Sequence, residues 1–432
     1  MRRSIIVLKY SEDNRYTLVY LSSILESYVA SRRGVDYVVS RDPLSTVVRA
    51  VESYDRVIVM YSLMTPQIFS LIEELKGLRQ IKLKYGDRVM LIAGGPHAAG
   101  DPRGTVCRLG FDIAVMREGE LTLPKLLDEI VYGDLSQELE KVPNVAYRDS
   151  TGRVRETWFS VWREPHGSGP YSCRLNMSAP VEIMRGCSFA CKYCQTPRIY
   201  RFRVRYRSIC QVATQCRALY RRGVRTIRFL APNGFGYGSP DGRTPAVDKI
   251  EKLLRTTYEY CERNVKLVLG AFPSEVRPDF VTRQVLEVVS KYVDNRRLAI
   301  GAQSGSDRLL RLIGRGHDSH CVYEAVDLAI EHGFTPVVDF IFGLPGETER
   351  DVEDTVKMMR ELARRGCIIR GHTFMPLPGT PFEREPPGKI HPRYLEALRE
   401  IAELGRLEGY WREQEDIARK IHEYITSSSL VV

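Results

Sequence analysis

The chain has 432 residues and a formal net charge of +10, with 43% hydrophobic and 27% charged residues. That is long enough for two cores and too apolar for an intrinsically disordered chain, and no apolar run nears the roughly 18 residues of a membrane-crossing helix. Ten cysteines in so long a chain exclude a small disulfide scaffold; seven are scattered singly, as buried small hydrophobes are, and the expected compartment is the reducing cytoplasm.

In chain order, short β-branched runs at 4–9, 36–40, 56–61, 88–93 and 112–116 alternate with segments of helical spacing at 17–30, 66–85 and 101–109. The run near Met1 is too short for a signal peptide and reads as the first strand. Such alternation predicts a Rossmann-like, doubly wound α/β domain over 1–140, its parallel sheet covered on both faces. Ligands of such sheets bind beyond the carboxyl ends of the strands. Three loops meet that description: Met60–Thr65, Gly94–His97 and Arg117–Glu120. Residues 141–175 read as a linker with a hairpin around Val145–Val154. Strand–helix alternation resumes with candidate strands at 180–184, 225–230, 265–270, 297–301, 336–341 and 368–373. A helical tail follows over 386–432, with Gly405 and Gly409 as its break.

The run Met184-Arg-Gly-Cys-Ser-Phe-Ala-Cys-Lys-Tyr-Cys-Gln-Thr-Pro197 places Cys187, Cys191 and Cys194 on one loop. A zinc site usually needs four ligands, and no partner His or Cys pair lies nearby. A redox pair of Cys191 and Cys194 would leave Cys187 without a task. An iron–sulfur cluster fits best, since thiolates at such spacings hold one, and three of them on four irons leave one iron open.

This loop resembles the cluster loop of the radical S-adenosylmethionine (SAM) enzymes, including the aromatic Tyr193 before the last cysteine. Further segments match the family in its order: Phe229-Leu-Ala-Pro-Asn-Gly-Phe235, Phe272-Pro-Ser-Glu-Val-Arg277, Ile300-Gly-Ala-Gln-Ser-Gly-Ser306, Asp339-Phe-Ile-Phe-Gly-Leu-Pro-Gly-Glu-Thr348 and Phe374-Met-Pro-Leu-Pro-Gly-Thr-Pro381. The resemblance implies a partial (β/α)6 TIM-type barrel over 176–385. It implies a 4Fe-4S cluster on Cys187, Cys191 and Cys194, with SAM contacts from Tyr193, Asn233, Gly234, Ser274, Glu275 and Gln303. Gln303 and Ser304 are expected to point into the barrel mouth, and Gly343 and Gly346 to form a tight turn. One departure stands out: Pro232-Asn233-Gly234 occupies the place of the family's Gly-Gly-Glu, so Asn233 and backbone carbonyls must serve the amino group of SAM.

The N-terminal part resembles the cobalamin-binding domain found ahead of many radical SAM domains, on Gly94-Gly-Pro-His97 and on Gly110–Glu120 with Leu123-Pro-Lys-Leu-Leu127. The cobalamin contacts implied are Ser62, Thr65, Gly94, Gly95, Pro96, His97, Glu118, Gly119 and Glu120. The Asp-x-His-x-x-Gly motif that supplies a histidine to cobalt is not present, so His97 is expected near the nucleotide tail and not on the metal.

Together the resemblances imply reductive cleavage of SAM to a 5′-deoxyadenosyl radical and cobalamin-dependent methyl transfer to an unactivated carbon. The alternatives are a methylthiotransferase-like enzyme acting on tRNA and a non-catalytic iron–sulfur electron carrier. Implied partners are an electron donor such as ferredoxin or flavodoxin and a small-molecule, lipid or anionic substrate. A basic stretch bears on nucleic acid: no Asp or Glu occurs from Gln195 to Pro240, while ten arginines fall between Arg198 and Arg228. With no RNA-binding appendage in the sequence, nucleic acid is the less favoured partner.

Overall fold

The computed structural model describes residues 3–133, 139–161 and 169–427. Contacts divide the chain into a unit ending at Ala179 and a unit Pro180–Thr426. Parts of the expected linker (162–168) and tail (428–432) lie outside the described residues.

In the first unit, strands β1 (Ser4–Lys9), β2 (Val35–Ser40), β3 (Arg56–Ser62), β4 (Val89–Gly94) and β5 (Ile113–Val115) are parallel, with β6 (Val145–Arg148) and β7 (Val154–Glu156) antiparallel at one edge. The order is β2-β1-β3-β4-β5-β6-β7. Ile6, Val7 and Leu8 are all fully buried, so β1 is covered on both faces as a central parallel strand must be. Helices α1 (Arg15–Ala30), α2 (Pro43–Ser53), α3 (Ile68–Tyr85), α4 (Gly95–Gly100), α5 (Pro102–Cys107) and α6 (Gly119–Tyr132) connect the strands. Local signals set their ends: Asp42 caps α2 by accepting from the Ser45 amide at 3.2 Å. The sequence reads Gly94–His97 as a turn alone; in the fold Gly95 opens the short helix α4, with Pro96 in its first turn.

The described residues of the expected linker, 141–161 and 169–175, belong to this unit. The hairpin of β6 and β7 extends the sheet past β5. A second hairpin, β8 (Tyr171–Ser172) with β9 (Met177–Ser178), lies on α1, where Glu26 gathers Ser172 Oγ at 2.7 Å and the amides of Cys173 and Arg174 at 3.1 and 3.0 Å. Alternating sequence marked the hairpin but not its partner strand, which is a tertiary property.

In the second unit, β10 (Val181–Glu182) is followed by β11 (Met184–Arg185), the cysteine loop with α7 (Thr196–Ile199), and β12 (Arg205–Tyr206). Then come α8 (Ile209–Arg221), β13 (Thr226–Leu230), α9 (Val247–Tyr260), β14 (Lys266–Val268), α10 (Arg283–Tyr292), β15 (Arg297–Gln303), α11 (Asp307–Leu312), α12 (Ser319–Glu331), β16 (Thr335–Phe342), α13 (Glu349–Arg364) and β17 (Ile368–Thr373). Strands β10, β13 and β14 pair in parallel, as do β15, β16 and β17. The chain after β14 bridges the two groups: Ala299 donates to Gly270 O at 2.7 Å and Gly301 to Val276 O at 3.0 Å. Six parallel strands therefore curve into a partial barrel, as the resemblance implied.

The tail is helical with one interruption. Between α14 (Pro392–Glu403) and α15 (Trp411–Thr426), β18 (Leu407–Glu408) pairs in parallel with β17. Gly405 and Gly409 flank it as expected. A Cβ on Gly409 would lie 2.2 Å from Gly371 O, so glycine is required for that approach. Among the described residues no helix is long and apolar enough to cross a membrane.

Candidate functional site

The order β2-β1-β3 reverses direction at β1, and the loops after β1 and β3 flank that switch point, where ligands of open α/β sheets bind. Asn14 begins α1 there. Its Nδ2 donates to Ser62 O, while its Oδ1 is buried without a partner, as is Nε2 of Gln67. The sequence did not single out Asn14 or Gln67; a polar residue at a helix start reads only as a cap. Two of the three expected loops are knit together: Leu63 N donates to Gly94 O at 2.8 Å and His97 N to Leu63 O at 3.0 Å. Gly95, at φ +90°, lies so close to Leu63 that a Cβ would stand 2.7 Å from its carbonyl.

Of the residues expected at cobalamin, Gly94, Gly95, Pro96, Gly119 and Glu120 are partly exposed, and Ser62, Thr65, His97 and Glu118 are buried. His97 is not on a loop rim. It is fully buried, with Nδ1 3.2 Å from Thr65 Oγ1, and burial pushes its pKa down to about 4, so it is neutral. It ties the Met60–Thr65 and Gly94–His97 loops together. The orphaned amide groups of Asn14 and Gln67 fit a cofactor rimmed with amides.

In the second unit, Gly186 enters the cysteine loop at φ +86°, where a Cβ would meet Arg203 O at 1.9 Å. The loop is pinned by Lys192 N to Ile313 O at 2.9 Å and by Gln195 Nε2 to Pro378 O at 2.8 Å. Burial pushes the Cys187 thiol up and that of Cys194 to about 11. Two buried guanidiniums stand beside them. Arg315 places Nη1 3.8 Å from Cys191 Sγ, and Arg277 lies 3.4 Å over the Phe189 ring. Thiols that are costly to ionise alone, next to fixed cations, suit ligation to an iron–sulfur cluster. Among the described residues no His, Cys, Asp or Glu group stands close enough to hold a single metal ion; a four-iron cluster spreads its thiolates wider.

A cavity of about 330 Å³ opens at the barrel mouth, within the usual size range of small-ligand sites. Tyr193, Glu275 and Gln303, three of the residues the resemblance assigns to SAM, line it. Gln303 sits at φ +76°, unusual for a residue with a side chain, at a register shift of β15 that turns it. Ser304 does not follow it. Its hydroxyl is buried 3.0 Å from Thr355 Oγ1 and accepts from Ser306 N at 3.1 Å. Ser274 likewise serves its own loop, accepting from Gly270 N at 3.2 Å and donating to Ala271 O at 3.1 Å. Gly234 packs under that loop, where a Cβ would stand 2.5 Å from Ser274 O. Gly343 and Gly346, at φ +69° and +76°, form the turn expected of them.

At the departure, Asn233 is buried. Its Oδ1 accepts from Arg277 N at 3.3 Å, leaving a buried Nδ2 without a partner; Nη1 of Arg277 is also buried and unpartnered. Two spare donors fit the carboxylate of SAM and not its ammonium.

Sequence reasoning missed much of the cavity wall: Arg277, Arg315, Asp339, His372 and Gln414. Arg370 grips Asp339 at 2.5 and 2.8 Å and Glu275 at 2.5 Å. Burial works against the charge of Asp339, but hydrogen bonds from His372 and Arg370 hold its pKa low; burial and the Asp339 charge raise that of Glu275. Gln414 reaches in from α15 to accept from Thr373 N at 2.9 Å. Asp339 and Arg277 stood within quoted motifs without being singled out; Gln414 had no local signal.

The basic stretch splits. Arg205 and Arg207 are buried, Arg207 donating to Glu182 at 3.1 Å, whereas Arg201, Arg203, Arg217, Arg221, Arg222, Arg225 and Arg228 are exposed.

Residues 181–359 match the family model of the Radical SAM superfamily, and residues 8–127 match that of the B12 binding domain. An uncharacterised protein of Methanopyrus kandleri, MK0932, is 28% identical over 404 residues, covering 79% of this chain and 71% of its own length. Among solved structures, the radical S-adenosylmethionine methyltransferase TsrM from Kitasatospora setae aligns with a TM-score of 0.69 at 14% identity, over 99% of this chain and all of that one. The cobalamin-dependent S-adenosylmethionine radical enzyme OxsB aligns with a TM-score of 0.66 at 16% identity. That alignment covers 97% of this chain and 56% of OxsB, so the chain spans little more than half of OxsB. At such identities the likeness is one of fold.

The fold and the paired domain matches define a radical SAM protein with a B12 binding domain ahead of its barrel. The chain belongs to that branch of the radical SAM superfamily. The cofactors that go with its two domains are a 4Fe-4S cluster with SAM and cobalamin.

Proposed function

We propose that the chain is a cobalamin-dependent radical SAM methyltransferase acting on an unactivated carbon. The observation that carries this reading is the joining of the two cofactor domains in one chain. When bound, the cluster with SAM supplies a radical able to remove hydrogen from carbon, and cobalamin supplies the methyl group.

The chain's own residues supply position and shelter. Cys187, Cys191 and Cys194 hold the cluster. Arg277 Nη1 and Asn233 Nδ2 receive the carboxylate of SAM, and Tyr193 and Gln303 flank it in the cavity. Asn14 and Gln67, with the partly exposed Gly94–Pro96 and Gly119–Glu120 segments, contact cobalamin. Ile341, Phe374, Met375 and Leu377 give the cavity apolar walls that exclude water from a reactive carbon centre, and Glu275, Asp339 and His372 orient a polar group of the substrate. The substrate is a small molecule bearing such a group, and the electron arrives from a small redox protein.

The test is anaerobic reconstitution with iron, sulfide and hydroxocobalamin. The expected protein retains both iron and cobalamin after desalting. Reduced with dithionite in the presence of SAM, it forms 5′-deoxyadenosine. Loss of all cobalamin on desalting would remove the methyltransferase reading and leave a radical SAM enzyme of another kind.

A further inference from the structure

We propose that Arg315 is a fixed counter-charge that raises the reduction potential of the cluster held by Cys191. The inference rests on the cluster assignment above.

Arg315 is 8% exposed, and its three nitrogens are all committed. Nη2 donates to Gly301 O at 2.5 Å, Nε to His317 Nε2 at 3.0 Å and Nη1 to Cys191 Sγ at 3.8 Å. Among the described residues no ion pair holds it: the nearby carboxylate of Asp279 is taken by Arg277 at 2.9 and 3.0 Å. Arg277 in turn donates to Arg315 O at 2.8 Å. Two buried cations thus share one carboxylate beside the cysteine loop. A buried cation without an anion is costly, so the working protein must provide one. The sulfur of Cys191, a thiolate when it ligates iron, is the group Arg315 touches.

The backbone is shaped for this placement. Gly314 and Gly316 flank Arg315 at φ +71° and +82°. A Cβ on Gly301 would stand 2.6 Å from Arg315 Nη2. Ile313 O is bonded to Lys192 N within the cysteine loop, which fixes one segment against the other.

One-electron reduction adds one negative charge to the cluster and its thiolates. A guanidinium at hydrogen-bond distance from a ligand sulfur, in a site with little water, stabilises the reduced state more than the oxidised one. Arg315 therefore acts through Cys191 as a tuning group.

The test is a dithionite titration of the reconstituted protein without SAM, followed by electron paramagnetic resonance. Arg315→Gln removes the charge and should lower the midpoint, by about 59 mV for each tenfold loss of preference for the reduced state. Arg315→Lys keeps the charge and should stay near the parent. Asp279→Asn removes a nearby carboxylate and should raise the midpoint; the double variant with Arg315→Gln, which loses one charge of each sign, should fall below Asp279→Asn alone and serves if Arg315→Gln by itself fails to retain iron. A midpoint of Arg315→Gln equal to the parent's, or of the double variant equal to that of Asp279→Asn, would overturn the inference alone. A parent protein that holds no cluster would overturn the cluster assignment and this inference with it.

Discussion

Single residues set sharp limits on this molecule. Gly186 has no room for a methyl group against the Arg203 carbonyl. Gly186→Ala is expected to displace the start of the cysteine loop and to lower iron retained after reconstitution severalfold. Two buried titratable groups give the units opposite acid–base behaviour. His97 has its pKa depressed to about 4 by burial, so the unfolded chain binds its proton first. The first unit should lose roughly 3 kcal/mol as pH falls from 6.5 toward 4. Burial raises Glu347 to about 7, against hydrogen bonds from Tyr394 and Gly343. Its contribution is complete below the ordinary carboxylate pKa and lost as pH rises through about 7, again on the order of 3 kcal/mol. Thermal melts across this range should show His97→Gln flattening the acid limb and Glu347→Gln the neutral limb; unchanged profiles would mean that neither group titrates differently on unfolding. The cysteine trio, Tyr193, Glu275 and Gln303 were legible because their chemistry is written in local motifs. Arg315 was not, because an arginine between two glycines reads as a surface turn until its burial is known.

At the scale of elements, the strands were the most readable feature, since runs such as Ile5–Leu8 and Val57–Met60 are apolar on both faces. Pairing was not readable. The hairpin of β6 and β7 is bonded to β5 through register, which local sequence does not encode. The tail is similar: its amphipathic spacing is plain, but β18 pairs with β17 only through tertiary approach. Trp411 anchors α15. It is 6% exposed, and its carbonyl accepts from Thr373 Oγ1 at 2.7 Å. Trp411→Ala should cost about 3 kcal/mol and speed amide exchange in α15 selectively; uniform exchange across the unit would refute a local anchor.

For the whole molecule, each unit has its own buried core and its own set of loops at strand ends. Cys191→Ala should therefore abolish iron retention and 5′-deoxyadenosine formation while leaving cobalamin retention unchanged. Loss of both cofactors would show that the units depend on each other. The two-domain plan and the cofactor classes were legible in the order of motifs. The rest of the cavity wall was not, because His372 and Gln414 come from separate segments that only the fold brings together.

Gln414, the residue of α15 that completes the cavity, has a consequence for biosynthesis. Translation delivers the cluster-binding loop before this wall. A chain released from the ribosome before Trp411 would carry the cysteines yet lack Gln414 at the cavity. On the proposed function, such a fragment would be a source of uncoupled SAM consumption, and its removal would fall to proteolysis.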